Sequence, residues 1–415
     1  DNGHNPTNNG HGINISTKSY VSVIGAVEGS QPRIRVTGCS DAGVYLYGLC
    51  HHIQIFGLEI DNNGDGYRDG QSDESITPYM DDGIYTNFSS KTEETPVVEI
   101  AHCKIHDNYQ DQITLAAGRG KKEFGRFLVH HNEIYNINDD GIETGDSQGI
   151  DIYNNVFHTL VTNGGNGHPD GIQTAGGYQR IWNNTFYDFF NPDKVSNAYI
   201  LCSYRNSVGQ PESHIMVYNN LIYHNNPVQE GNYIRGIEFT KGNGNVSGIS
   251  DVYIANNTII GTPFHGLSVV VGDSIPGENV SNINVYNNLI VNCQRLKNTE
   301  PALTINSKNC STGSIESNAH IKFDYNIIYA GEEGSCIVTE EKEKKIYYKT
   351  NEDWVNETGC NKNVSGNPDP LLTPDYRLGE GSPAIDIGIK LTQLFDYDIV
   401  GNPRSSKWDI GAYEK

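Results

Sequence analysis

At 415 residues the chain could hold two ordinary domains, but only 36% of it is hydrophobic and 45 residues are glycine, which suits a thin core with many polar turns. A formal charge of −22 argues against a nucleic-acid partner; it also repels polyanions unless a metal or a local basic cleft intervenes, and it favours divalent cations. No run approaches roughly 18 consecutive apolar residues, so no membrane span is expected.

Residues 1–12 (DNGHNPTNNGHG) read as an extended polar lead-in. The chain opens on Asp1 without a signal peptide, so a processed N-terminus is expected. No amphipathic helix precedes residue 13 to cover the first strands. Bare strand edges invite pairing, so either a cap has been removed or another molecule covers that end.

From residue 13 to about 330 one cassette recurs: VHHNEI (129–134), IYNNVF (152–157), IWNNTF (181–186), VYNNLI (217–222), IANNTI (254–259), VYNNLI (285–290) and FDYNII (323–328). Its repeated residue is Asn132, Asn155, Asn184, Asn220, Asn257, Asn288 or Asn326, at spacings of 23, 29, 36, 37, 31 and 38. Positions three before and two after are always apolar. This predicts a strand, a one-residue bend and a second strand, with both apolar columns inward. An inward asparagine must satisfy its amide, and stacking on the amides of adjacent coils does so. IFGLEI (55–60) and IAHCKI (100–105) fit with Leu58 and Cys103 in the polar column.

A second cassette alternates with the first: DAGVYL (41–46), DDGIYT (81–86), YQDQITL (109–115), DDGIET (139–144), PDGIQT (169–174), SNAYIL (196–201), IRGIEF (234–239), FHGLSV (264–269) and EPALTI (300–305). Its glycine lets the backbone turn sharply into a strand. Each coil therefore carries at least three strands, stacked in parallel, with the coil as its own return connection. Insertions at 62–80, 186–196, 203–213, 225–233 and 271–280 are expected as loops. Residues 331–381 are less regular, with the charged run EEKEKK (340–345) as a solvated loop or hairpin tip.

The NNxI and NNTF cassettes resemble the right-handed parallel β-helix repeat superfamily, which includes pectate lyases, chondroitinase-type lyases and polygalacturonases, and is largely secreted. SPAIDIG (382–388), GNPR (401–404) and DIGAYE (409–414) resemble the ending of bacterial members. The resemblance implies an all-β solenoid of about nine or more coils over 13–330, with an irregular C-terminal region and cap over 331–415. It implies a secreted carbohydrate-active protein, either a calcium-assisted polysaccharide lyase or a glycoside hydrolase. The rival is a non-enzymatic fibre subunit, adhesin or surface-layer component that assembles with itself end to end. The pectate-lyase and polygalacturonase signatures are incomplete, and no DPH motif occurs.

The second cassette aligns Asp82, Asp111, Asp140 and Asp170 in consecutive coils, with Asp81, Asp139, Glu143 and Asp146 nearby. Strand stacking places neighbours about 4.8 Å apart, so they cannot all ionise uncompensated. The aspartates can make the turn by accepting backbone N–H bonds. They can bind calcium as hard oxygen ligands. They can supply an acid/base pair, Asp140 with Asp170 or Glu143 with Asp170. In the resembling lyases calcium neutralises a uronate and an Arg or Lys removes the C5 proton; Arg235, Arg205 and Lys241 fall in about the right coils. His168, in GGNGHPDGIQT, is a candidate proton carrier, and His265 a weaker one. Tyr45 and Tyr85 align outward, where aromatic faces can hold sugar rings.

Glycosylation sequons fall at Asn14, Asn87, Asn183, Asn245, Asn256, Asn279, Asn309, Asn356 and Asn363, with Asn183 and Asn256 expected outside the ladder bend. Eight cysteines include no CxxC pair. Cys39 with Cys50, or a pair among Cys310, Cys336 and Cys360, are candidate staples, and Cys103 a buried thiol.

Overall fold

The computed structural model describes residues 10–25, 27–28, 31–64, 81–88, 96–116, 123–160, 169–190, 196–204, 213–227, 233–241, 249–270, 280–293, 303–306, 321–330, 337–341, 344–348, 350–358, 360–361, 363–364, 366 and 368–415. The chain is a right-handed parallel β-helix with three faces, sheets I, II and III. It divides into two compact units, residues 1–178 and 179–415.

In the first unit the second cassette forms sheet I: Ile13–Ser16, Val44–Gly48, Ile84–Phe88, Ile113–Ala116, Ile142–Glu143 and Ile172–Thr174. The first halves of the asparagine cassettes form sheet II, as in Val98–Ala101, Phe127–His130 and Ile150–Tyr153, and the second halves form sheet III, as in Lys104–His106, Glu133–Ile137 and Val156–Leu160. Every pairing is in register. Ile55, Ile100, Val129 and Ile152 lie in one fully buried column of sheet II. In the second unit Ile181, Val217, Ile254, Val285 and Phe323 form the equivalent column, and Phe186, Ile222, Ile259, Ile290 and Ile328 its counterpart on sheet III.

In the asparagine cassettes the bend between sheets II and III has two residues, not one; at Gly57 it has one. The residue before the ladder position takes a left-handed backbone: Gly57, His102, His131, Asn154, Asn183, Asn219, Asn256, Asn287 and Tyr325 all have φ between 51° and 64°. Asparagine is the non-glycine residue that tolerates this conformation best, which explains the NN doublets. The second asparagine points inward. Asn257 Nδ2 donates to Asn288 Oδ1 at 3.0 Å and to Val217 O at 2.9 Å, while its N–H donates to the same Asn288 oxygen at 3.1 Å. The pattern links Asn184, Asn220, Asn257, Asn288 and Asn326 in the second unit, and Asn132 with Asn155 in the first. Where Cys103 replaces asparagine, its N–H still donates to the ladder, to Asn132 Oδ1 at 2.9 Å. Cys103 is a buried thiol whose pKa burial pushes up to about 11.

The charged run 340–345 falls partly on two antiparallel strands: Ile337–Glu341 pairs with Lys344–Tyr348, while 342 and 343 lie outside the described residues. A helix, Asn351–Thr358, follows and places buried Trp354 edge-on to Phe323 at 5.0 Å. Asn361 Oδ1 accepts the Asn326 N–H at 2.8 Å, and Asn351 Oδ1 accepts from Asn361 Nδ2 at 2.8 Å, so the ladder ends on polar partners.

The final segment, residues 368–415, is irregular, as expected, and runs as a strap along the II/III corner of the second unit. Asn219 Nδ2 donates to Tyr397 O, Asn256 Nδ2 to Asp409 O and Gly411 O, and Asn287 Nδ2 to Ile389 O. Trp408 and Leu391 pack on Tyr218 and Ala255, while Ala384 and Ile410 pack on Leu289 and Ile327. Buried Arg404 joins Asn219 Oδ1 to Glu414. The strap therefore corrects one glycan expectation: Asn256 is fully buried with its amide engaged. Asn14, Asn87, Asn356 and Asn363 are exposed and Asn183 is half-buried; Asn245, Asn279 and Asn309 lie outside the described residues.

Cys39 and Cys50 are free thiols rather than a staple. Cys50 Sγ points at Tyr47 O, 3.1 Å away, and Cys39 Sγ packs against Gly12. Cys360 is also free, and Cys310 and Cys336 lie outside the described residues.

Asn257→Ala removes the oxygen that satisfies two buried donors of Asn220, its N–H and its Nδ2. The Asn220 N–H is then orphaned at a cost of about 1–3 kcal/mol, while its Nδ2 keeps Ile181 O and Tyr218 O as acceptors and loses one of its bonds. Denaturant unfolding of the variant is expected to show a loss of about 2–5 kcal/mol. An unchanged midpoint would mean the ladder contributes no stability.

Candidate functional site

Side chains alternate along each strand, so the inward Ile84, Ile113, Ile142 and Ile172 leave Tyr85, Thr114, Glu143 and Gln173 on the outer face of sheet I. Tyr45 pairs with Tyr85 in register, with ring centroids 5.8 Å apart, so the outward aromatic pair expected from the sequence is present. Tyr45 is itself mostly covered, flanked by His11 at 4.5 Å and Tyr47 at 5.0 Å. Burial, then the Asp82 charge, pushes the Tyr85 pKa up to about 12.

The aspartates stand at the turn into these strands, one per coil. Asp82 Oδ1 accepts the Asp111 N–H at 3.2 Å, Asp111 Oδ1 the Asp140 N–H at 2.8 Å, and Asp140 Oδ1 the Asp170 N–H at 2.8 Å. All four are buried. The second oxygens turn to the outer row: Thr114 Oγ1 donates to Asp111 Oδ2 at 2.9 Å, and Gln173 Nε2 to Asp140 Oδ2 at 2.8 Å. Burial first, and neighbouring carboxylates after it, raise Asp82, Asp111 and Asp140 well above the usual carboxylate range. Glycine precedes the strand for room rather than for a left-handed turn. A Cβ on Gly83 would sit 2.6 Å from Gln112 O, and one on Gly141 2.4 Å from Gly171 O.

The row does not fit a calcium ion held by all four. Carboxyls one coil apart are separated by about 4.8 Å per step, whereas calcium gathers six to eight oxygens at about 2.4 Å. The backbone N–H bonds to the Oδ1 atoms are those that the turn-making role requires.

Glu143 belongs to the first unit, Arg235 and His265 to the second. Glu143 is half-buried on the outer row, and its charge raises Asp82, Asp111 and Asp140. His168 and Arg205 fall outside the described residues, as does the side chain of Lys241. In the second unit Arg235 Nε lies 3.2 Å from Glu238, with its guanidinium over Phe264 at 5.2 Å. His265 is buried against Phe264 at 3.9 Å.

Two groups not singled out from the sequence do converge, both in the first unit: His102 with His130 and His131, and Glu59 with Asp61 and His106. The second is an ion-pair network. Arg35 holds Asp61 with two nitrogens, His106 Nε2 lies 3.5 Å from Glu59, and His106 Nδ1 lies 2.6 Å from Asp107. The signal for the first was the HH doublet at 130–131 and the histidine at the same cassette position in IAHCKI.

No protein-family model and no curated protein matches the chain. Among solved structures it matches the catalytic unit of a thermostable GH87 α-1,3-glucanase from Streptomyces thermodiastaticus strain HF3-3, at a TM-score of 0.22 and 12% identity. The match covers 79% of this chain and 60% of that one, and it is too distant to place any residue. Among the described residues no helix is long and apolar enough to cross a membrane.

The raised carboxyls tie stability to pH. A folded pKa above the unfolded value gives a contribution that is complete below about pH 4 and is lost as pH rises through the folded value. Asp111→Asn keeps an acceptor for the Asp140 N–H and removes the charge. Thermal unfolding of the variant is expected to match wild type near pH 4.5 and to exceed it by a few degrees at pH 8. Parallel pH profiles for the two proteins would show that Asp111 carries no excess proton.

Proposed function

We propose that the outer face of sheet I in the first unit binds a polysaccharide, and that the carboxyls there hydrolyse a glycosidic bond. The observation that carries this reading is the in-register row Tyr45, Tyr85, Thr114, Glu143 and Gln173, backed by carboxyls that burial biases toward the protonated form. Aromatic rings followed by hydrogen-bonding side chains suit a chain of sugars lying across the strands.

Hydrolysis needs one carboxyl that holds a proton and one that does not. Asp140 is suited to the first role, because burial and the charges of Asp111 and Asp170 favour its protonated form. Glu143, three residues on and half-buried on the outer row, is placed to take up the proton of an attacking water. In this mechanism Asp140 gives its proton to the glycosidic oxygen as the bond to the anomeric carbon breaks. Water adds at that carbon and its proton passes to Glu143. Asp170, on the next coil, orients Asp140 through its N–H. The elimination route has less support, since the Arg235 guanidinium is already engaged by Glu238 and Phe264.

A non-catalytic glycan-binding or structural role is favoured by one observation: the Oδ1 atoms of Asp82, Asp111 and Asp140 each accept a backbone N–H, as a purely architectural row requires.

The test is a screen of neutral and uronate polysaccharides with and without calcium, following reducing ends and unsaturated products. Reducing ends are expected without unsaturated products. Glu143→Gln and Asp140→Asn are each expected to lower turnover by about a hundredfold or more while retaining polysaccharide binding. Binding without turnover in wild type would favour the architectural role, and unchanged turnover in both variants would remove these residues from the reaction.

A further inference from the structure

The II/III corner of the first unit carries three imidazoles on two consecutive coils. His102 and His131 occupy the left-handed corner position, with φ of 56° and 55°, and their rings stack 5.1 Å apart. His130 precedes His131, is buried, and stacks on Tyr153 at 4.7 Å. One ring nitrogen from each of the three lies within 4.8 Å of the other two.

The fold does not require histidine at this corner. The equivalent residue is Gly57 or Asn154 in other coils of the same unit, and Asn183, Asn219, Asn256, Asn287 or Tyr325 in the second unit. Asparagine serves the backbone at least as well.

The surrounding hydrogen bonds aim the rings. Glu99 Oε1 lies 3.0 Å from His130 Nε2, and Glu99 Oε2 accepts from Gln54 Nε2 at 3.0 Å. With Nε2 donating to the carboxylate, His130 presents the lone pair of Nδ1. That Nδ1 lies 2.9 Å from His131 Nδ1, so one proton sits between two nitrogens that face the same point. His131 Nε2 lies 3.3 Å from Asn154 Nδ2, which supplies the matching donor.

We propose that His102, His130 and His131 bind one divalent transition-metal ion, with Glu99 as the outer carboxylate that orients His130. Carboxylate–histidine–metal relays of this kind fix the tautomer and strengthen the ligand. The ion takes the place of the proton between the two Nδ1 atoms. His131 then carries its proton on Nε2, and the half-buried Asn154 amide turns to accept it. An all-imidazole donor set selects zinc, copper or nickel over calcium and magnesium. His102 and His131 are exposed, so the remaining coordination position faces solvent.

Untagged full-length protein, stripped with chelator, is titrated with Zn2+ by calorimetry in millimolar Ca2+. One equivalent is expected to bind in the micromolar range or tighter. The His102→Asn/His131→Asn double variant places the residue other coils use at both corners. It is expected to keep the metal-free melting temperature and to weaken zinc binding by about a hundredfold or more. Glu99→Gln is expected to weaken it about tenfold and to shift the visible bands of the Co2+ form, an effect that simple loss of packing would not produce. Absence of zinc binding by wild type, or binding of equal strength by the double variant, overturns the proposal.

Discussion

A buried amide at the bend between sheets II and III governs this fold. Two strands meeting at a corner leave backbone N–H groups inside, and an interior N–H without an acceptor is costly. Asparagine solves this one coil at a time. Its oxygen accepts the N–H and the side-chain amide of the previous coil, and its own amide donates onward and to a backbone carbonyl. Each coil thereby completes its neighbour, which sets the register of strands whose own apolar faces would tolerate sliding. A ladder of this kind also needs an ending. In the second unit Asn361 and Asn351 provide it, with Trp354 covering the apolar column beside them.

The aspartate row on sheet I applies the same device with a different group, and the chemical difference has consequences. A carboxylate accepts but does not donate. Oδ1 satisfies the next coil's N–H as an asparagine would, but no amide remains to continue the chain. The second oxygen must find its partner elsewhere, and it finds the outer row through Thr114 and Gln173. Stacked negative charge then has to be relieved within the row, so burial and mutual repulsion hold protons there. An architectural choice at the turn thus delivers titratable groups to a face lined by Glu143 and two tyrosines. The turn-making and chemical readings of these aspartates are two aspects of one geometry.

The cassettes made the coil legible, because strand alternation and a recurring inward polar residue impose themselves on every turn. Leu58 and Cys103 were recognisable as substitutes for the same reason. The antiparallel strands at EEKEKK announced themselves through charge. The left-handed residue beside each ladder asparagine was visible as the first N of NN, but its meaning is a backbone angle, which periodicity does not report. A second, shorter ladder of Asn63, Asn108 and Gln112 leaves no periodic trace in the sequence, because its spacing is irregular and its members differ in type. The strap was hidden for a further reason: Asn219 and Tyr397 are brought together across most of the second unit's sequence, and nothing local to either records the contact.

The corner position shows how one backbone requirement supports different uses. Its left-handed residue projects outward, so the fold fixes its φ and leaves its side chain to other tasks. In the second unit Asn219, Asn256 and Asn287 place their amides where the strap's carbonyls need donors, and Arg404 returns a hydrogen bond to Asn219. These amides order a segment that has almost no regular secondary structure of its own. In the first unit His102 and His131 occupy the same position with exposed rings, and His130 is held beside them by Glu99. The solenoid's repeat carries both sets at the spacing of adjacent coils, close enough for neighbouring side chains to share one partner. In one unit that partner is the chain's own backbone; in the other, the facing imidazole nitrogens suit a metal ion.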